Sequence, residues 1–165
     1  MIQESALSAN PAVAVRSQLT SADLLRMSRQ DLIDLFLQSG CGPIPSGYFR
    51  GTALFYPGTW RITPISMITR LIWQGKSFVE GRPDRIRNRW FGIHMILGKC
   101  FIGDSLLDQK PCIVLEYDGV SRIFDIVRDE LREVRPGLLL GRLYFRRPTP
   151  HYIGHFALEQ KQTSA

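Results

Sequence analysis

Long apolar runs are missing from this chain of 165 residues, and no stretch approaches the ~18 residues that a membrane-spanning helix needs. Paired cysteines are missing too. Cys41, Cys100 and Cys112 are odd in number and far apart, which argues for reduced, buried thiols and against a disulfide framework or a zinc site. Neither a Gly-rich phosphate loop nor a GxSxG nucleophile elbow occurs. Residues 1–15, MIQESALSANPAVAV, lack a basic segment followed by an apolar one, so no secretory signal is read and a cytoplasmic protein is expected. No metal and no cofactor is expected.

Lysine is scarce: four residues against seventeen arginines, in a chain of net charge +6. Arginine suits bidentate contact with carboxylate or phosphate. A GC-rich coding sequence explains the same excess, so it favours an acidic partner only weakly. Apolar residues make up 44% and charged residues 22%, which are ordinary globular values. The length fits one domain with a real core. Residues 1–19 read as a loose arm and 20–165 as a single domain.

Helical signals come first. Thr20, Ser21, Ala22 and Asp23 open a short segment. Ser28 and Asp31 have capping-box spacing, with Asp in place of Glu. Leu32, Ile33, Leu35, Phe36 and Leu37 then form an apolar face, and Gly40 is placed as a C-cap. This helix is expected to plug or cover one end of the body. After residues 41–47 the period changes from helical to alternating, with Phe49, Gly51, Ala53 and Phe55 on one face. Residues 62–73, ITPISMITRLIW, read as a short helix or lid. Residues 76–79 form a strand, 81–84 a turn, and 85–102 one bent strand or two. A β-meander follows: 111–117, a charged strand, an apolar strand from 138, and 152–159.

The stretch RDELREVRPGLLLGRLYFRR, 128–147, has two readings. Val120, Phe124, Val127, Leu131 and Val134 carry helical spacing. A helix, however, would set Arg128 against Arg132 and Asp129 against Glu133. Pro136 and Gly137 make a turn into the next strand, so a hairpin is the simpler topology. Residues 129–134 are read as a strand, with Asp129, Leu131 and Glu133 on one face and Glu130, Arg132 and Val134 on the other.

Residues 112–158 resemble the C-terminal half of bacterial GXWXG-domain-type small β-barrel proteins. Glu116, Tyr117 and Asp118 match a strand ending in Tyr-Asp, and Ile123, Phe124 and Asp125 match the following link. DELREV at 129–134 and LLLGRLY at 138–144 match the charged and the apolar strands. The eponymous motif has a partial counterpart in LIWQGKSF at 71–78, where Leu71 replaces the first Gly. Gly58, Thr59 and Trp60 match the short Gly-x-Trp element of lipocalins. The resemblance covers roughly half the chain. It implies a mainly β, calycin- or lipocalin-like antiparallel barrel and no particular reaction.

Such a barrel, of about seven or eight strands, would turn inward the apolar face of each strand. The expected ligand-binding residues are Phe49, Gly51, Leu115, Tyr117, Gly141, Leu143, Tyr152 and Phe156. The glycines either let the barrel bend or leave room for a ligand. Arg50, Glu116, Asp118, Arg142, Arg146, His155 and Glu159 fall on the opposite faces and read as a solvated exterior. Buried tyrosines need hydrogen-bond partners. Glu130 and Arg132 are nominated, giving a constellation of Tyr117, Tyr152, Glu130 and Arg132 at one end of the barrel. There Arg would hold an anion, and Glu or Tyr would move a proton. The competing reading is a structural ion pair in the wall.

His151 and His155 would sit about 13 Å apart in a strand, too far for one metal. Arg82, Arg85, Arg87 and Arg89 form a local basic cluster in which the arginines of RIRNRW alternate as on an outer strand face, and nucleic acid is not an expected partner. Three functions stay open: binding of a small apolar or acidic molecule, a cofactor-independent isomerase or cyclase, and a basic interaction protein with a packed barrel. A homodimer through an open sheet edge is also compatible with the pattern.

Overall fold

The computed structural model describes residues 16–54, 73–117, 119 and 124–160, apart from the side chains at 90 and 94–96. Among the described residues, the two helices Ser21–Leu24 (α1) and Arg29–Gln38 (α2) precede eight strands. Both start with a capping box, the one at Ser28 and Asp31 as the sequence predicts and the one at Thr20 and Asp23 in addition. Thr20 N–H donates to Asp23 Oδ2 at 2.9 Å and Asp23 N–H returns to Thr20 Oγ1 at 3.3 Å. Ser28 and Asp31 do the same at 2.9 and 3.1 Å. Asp is long enough to reach back, and its charge suits the helix N-terminus.

The C-terminus of α2 departs from expectation. Ser39, not Gly40, caps it, and Ser39 Oγ donates to Leu35 O at 2.6 Å. Gly40 instead forms a β-bridge, its carbonyl accepting from Glu133 N–H at 2.8 Å.

The strands are β1 Gly47–Leu54, β2 Trp73–Phe78, β3 Arg85–Trp90, β4 Ile93–Asp104, β5 Pro111–Glu116, β6 Val127–Arg135, β7 Leu138–Phe145 and β8 His151–Glu159. Each pairs antiparallel with its successor, and β8 returns to β1 from Arg50↔Glu159 to Leu54↔His155. The sheet is therefore a closed eight-stranded barrel. Closure removes the open edge that a homodimer of the compatible kind would have used. Residues 128–147 are a hairpin turning at Pro136 and Gly137, and 85–102 divide into two strands at Phe91 and Gly92. No helix among the described residues is long and apolar enough to cross a membrane. The expected lid at 62–73 lies almost wholly outside the described residues, as does most of the arm.

Two apolar layers hold the structure. The first fills the lumen with Phe49, Phe78, Ile86, Cys100, Ile113, Leu115, Leu131, Leu139 and Leu158. Cys41 and Ile44 from the connector before β1 pack onto it. The second layer lies outside. Leu24, Leu32, Leu35 and Phe36 of the helices cover Leu54, Val134, Leu138, Leu140 and Ala157 on the outer wall. Helix α2 is thus a side buttress; the barrel end is sealed by the connector after it.

The outer layer changes the fate of several polar residues. Arg142 and His155, expected on a solvated face, are 5% and 0% exposed. Arg142 Nε donates to Tyr144 Oη at 2.8 Å, and its Nη1 donates to His155 Nε2 at 3.1 Å. A neutral ring accepting at Nε2 carries its proton on Nδ1 and donates it to the Tyr152 hydroxyl. Burial, reinforced by Arg142 and Arg29, lowers the His155 pKa to about 3.

Candidate functional site

The lumen opens into a cavity of about 200 Å³ toward the end where β1 finishes and β2 begins. Its wall is apolar: Ala53, Trp73, Phe124, Val127, Leu143, Phe145 and Phe156. Its polar lining comes from Lys76, Asn88, Tyr117 and Asp129, none more than 5% exposed.

Strand geometry puts them there. On β3 the arginines at 85, 87 and 89 alternate with Ile86 and Asn88, so Asn88 shares the inward face with Ile86. On β6, Asp129 and Leu131 point inward. On β2, Gly75 has φ +138, and a Cβ there would stand 2.0 Å from Phe49 O. The register shift between Trp73 and Gly75 lets both Trp73 and Lys76 face the lumen. On β4, a side chain at Gly98 would stand 3.0 Å from the Tyr117 ring, so this glycine makes the space that Tyr117 occupies.

The four polar groups bond one another. Lys76 Nζ donates to Asn88 Oδ1 at 2.8 Å and to Tyr117 Oη at 2.6 Å, and forms an ion pair with Asp129 Oδ2 at 2.9 Å. Tyr117 Oη–H donates to the same Asp129 Oδ2 at 2.9 Å, and Trp73 Nε1 donates to Asn88 Oδ1 at 3.3 Å. The ammonium also lies 5.3 Å from the Trp73 and Tyr117 ring centres and 5.6 Å from that of Phe156, inside cation–π range. Burial first, then the Asp129 charge, raise the Tyr117 pKa well above its ordinary value. Tyr117 is therefore a neutral proton donor. A buried ion pair is tolerable only with such surrounding hydrogen bonds.

The sequence-nominated residues divide among several places. Tyr117, Leu143 and Phe156 line the cavity. Phe49 and Leu115 belong to the packed lumen. Gly51 and Gly141 leave no vacancy: a Cβ at Gly51 would stand 2.7 Å from the Trp73 ring, and one at Gly141 only 2.3 Å from the Phe156 ring. Aromatic rings from neighbouring strands lie over both glycines, and these two rings meet edge to face at 5.6 Å.

Tyr152 is on the outside. The register slips by one residue between Leu143↔Gly154 and Tyr144↔Tyr152. This turns Tyr152 away from the face of Phe156 and toward His155 and Arg142.

Glu130 and Arg132 are also outside, which corrects their grouping with Tyr117. Glu130 accepts from Ser105 Oγ at 2.7 Å and from Leu106 N–H and Arg128 Nε at 2.9 Å. Arg132 is bidentate to Asp108 at 2.9 and 2.7 Å, donates to Phe36 O at 3.2 Å and stacks 4.6 Å over the Phe36 ring. Their bonds hold the 105–110 turn and helix α2 to the wall. The tyrosine partners inside are Lys76 and Asp129, and sequence reasoning missed both, along with Asn88. The alternation in RIRNRW and the pairing of Asp129 with Leu131 on one face were the available signals.

Among the described residues no group of His, Cys, Asp and Glu could hold a metal ion. Cys100 and Cys112 are buried, and burial pushes both thiols up to about 12.

No family model matches the chain. No curated protein matches it either. A crystal structure of a protein from Thermomonospora curvata is similar, with 17% identity and a TM-score of 0.59 over 93% of this chain and 100% of that one. At that identity the likeness shows a shared fold.

Proposed function

We propose that the barrel binds a small, mostly apolar molecule, and that one polar group of this molecule meets the Lys76, Asp129, Tyr117 and Asn88 cluster. The cavity carries this reading: an apolar wall converging on four bonded polar side chains is the usual composition of a ligand site. A basic interaction protein with a packed barrel fits the open lumen less well. Kinship with the GXWXG-type, calycin-like barrel proteins and a cytoplasmic location belong to the same proposal. The kinship rests on the motifs in 71–78 and 112–158, and the location on the free thiols of Cys41, Cys100 and Cys112.

Native mass spectrometry of the purified protein, followed by denaturing extraction, tests the binding reading. The expected result is a copurified apolar molecule, or a rise in melting temperature with members of an apolar panel. A clean apo mass and no stabilisation by any member would overturn it.

A second reading is proton-transfer catalysis without a cofactor, as in an isomerase or cyclase. The direct hydrogen bond between Tyr117 and Asp129 inside the cavity favours it. It moves the chemistry from Glu130 and Arg132 to Asp129, as base, and Tyr117, as acid. Turnover of a bound ligand that Asp129→Asn abolishes is the expected result; recovery of the ligand unchanged after prolonged incubation would exclude catalysis.

A further inference from the structure

We infer that the cavity selects a neutral molecule carrying a hydroxyl group over the carboxylate of the same skeleton. This inference rests on the ligand-binding reading above and names its ligand class.

The valences of the polar cluster lead there. An ammonium has three N–H donors, and the three acceptors around Lys76 Nζ, at 2.8, 2.6 and 2.9 Å, engage all of them. Lys76 has no N–H left for a ligand. Tyr117 Oη accepts from Lys76 and donates its only proton to Asp129 Oδ2. Asn88 Oδ1 accepts from both Lys76 and Trp73.

On two of these cavity-lining residues the bonds among described residues leave polar valences over. Asp129 Oδ2 takes both bonds made to that carboxylate by described residues, and its Oδ1 takes none of them. The Asn88 amide nitrogen carries two N–H groups; it lies against the Tyr117 hydroxyl, which leaves at least one. The site therefore offers one charged acceptor and one neutral donor, on two groups bonded to the same ammonium. A hydroxyl group satisfies both, donating to Asp129 Oδ1 and accepting from Asn88 Nδ2. A carboxylate satisfies one and sets its charge beside that of Asp129.

Charge gives the same answer. Lys76 and Asp129 cancel, and both Arg132, the anion-binding candidate of the sequence, and Arg142 are outside the barrel. Arg132 is held by Asp108, and Arg142 lies among Tyr144, Tyr152 and His155. An anionic ligand would be a third, uncompensated charge in a lumen walled mostly by apolar side chains, which is expensive. A hydrocarbon enters freely but leaves the carboxylate oxygen and the amide N–H without partners. The volume of about 200 Å³ is somewhat larger than the roughly 150 Å³ of an apolar cavity that takes benzene, which suits a single ring with a short chain.

The test uses one skeleton in three forms: cinnamyl alcohol, cinnamate and β-methylstyrene, measured on the full chain at pH 7.5 by calorimetry and by shift of melting temperature. The alcohol is expected to bind about tenfold or more tightly than either of the others, the difference that one or two hydrogen bonds confer. Asp129→Asn leaves Lys76 a cation without its anion, so the order reverses and cinnamate overtakes the alcohol. Asn88→Leu keeps the charge balance and brings the alcohol down toward the hydrocarbon; it covers the case in which Asp129→Asn does not fold.

Equal binding of alcohol and hydrocarbon, or tighter binding of cinnamate by the unaltered protein, would overturn the hydroxyl inference and leave the binding reading standing. Failure of all three compounds, and of the wider apolar panel, would remove both.

Discussion

Lys76 and Asp129 pair across the lumen. They lie on β2 and β6, four strands apart in a ring of eight, and meet at 2.9 Å. Below them the inner faces of Phe49, Phe78, Leu131, Leu139 and Leu158 are packed; above them the lumen is open and lined by Trp73, Leu143 and Phe156. The pair is thus a crossbar between a structural half and a candidate binding half, and Asn88 and Tyr117 complete it.

Because each charge compensates the other in a buried setting, removing one is costlier than removing both. Lys76→Met and Asp129→Leu are each expected to lower stability by about 3–5 kcal/mol. The double variant should lose clearly less than the sum. Urea unfolding of the three variants measures the coupling; additive losses would mean that the two residues do not act as a pair.

His155 makes stability depend on pH. Its pKa is about 3 in the folded chain against an ordinary 6.5. Below about 6.5 the unfolded chain takes up a proton that folded His155 refuses. The stabilisation is therefore complete above that value and is lost progressively as the pH falls toward about 3. By pH 5 the loss is about 2 kcal/mol. Melting curves at pH 7 and pH 5 should show a smaller drop for His155→Asn than for the parent chain. An equal drop would place the acid sensitivity elsewhere, in the carboxylates.

Arg132 provides a control outside the cavity. It links Asp108, the end of α2 at Phe36 and the carbonyls of Lys110 and Pro111 to the wall. Arg132→Ala is expected to cost about 3 kcal/mol, because Asp108 loses its partner and the Phe36 ring its cover. Affinity for any cavity ligand should change less than twofold. Loss of ligand binding without loss of stability would reverse that assignment.

Gly141 tests the aromatic filling of the barrel. A methyl group there would stand 2.3 Å from the ring of Phe156, which lines the cavity. Gly141→Ala is expected to cost about 1–3 kcal/mol, the range for overpacking, and to weaken ligand binding by shrinking the site. Thermal unfolding and calorimetry check the two effects separately.

Much of this architecture could be read directly. The two capping boxes, the turn at Pro136 and Gly137, the alternation in β1 and the charged β6 strand all form as local chemistry dictates, since each depends on residues within a few positions of one another. The lumen placement of Tyr117 and Phe156 followed from alternation alone.

What misled was the second apolar layer. When one face of a strand packs inside a barrel and the other packs under a helix, hydropathy no longer separates inside from outside. Glu130, Arg132 and Arg142 on the outer wall are as buried as Asp129 on the inner one. A one-residue slip at 152–154 then moved Tyr152 out, because side-chain direction alternates and a single extra residue inverts it.

By itself, then, the sequence determined the strands, caps and turns of a mainly β chain, because those follow from short-range periodicity and backbone preference. Only the tertiary structure decided which charged residues meet. Lys76, Asn88, Tyr117 and Asp129 come from four separate parts of the chain, and ring closure alone brings them within hydrogen-bonding distance.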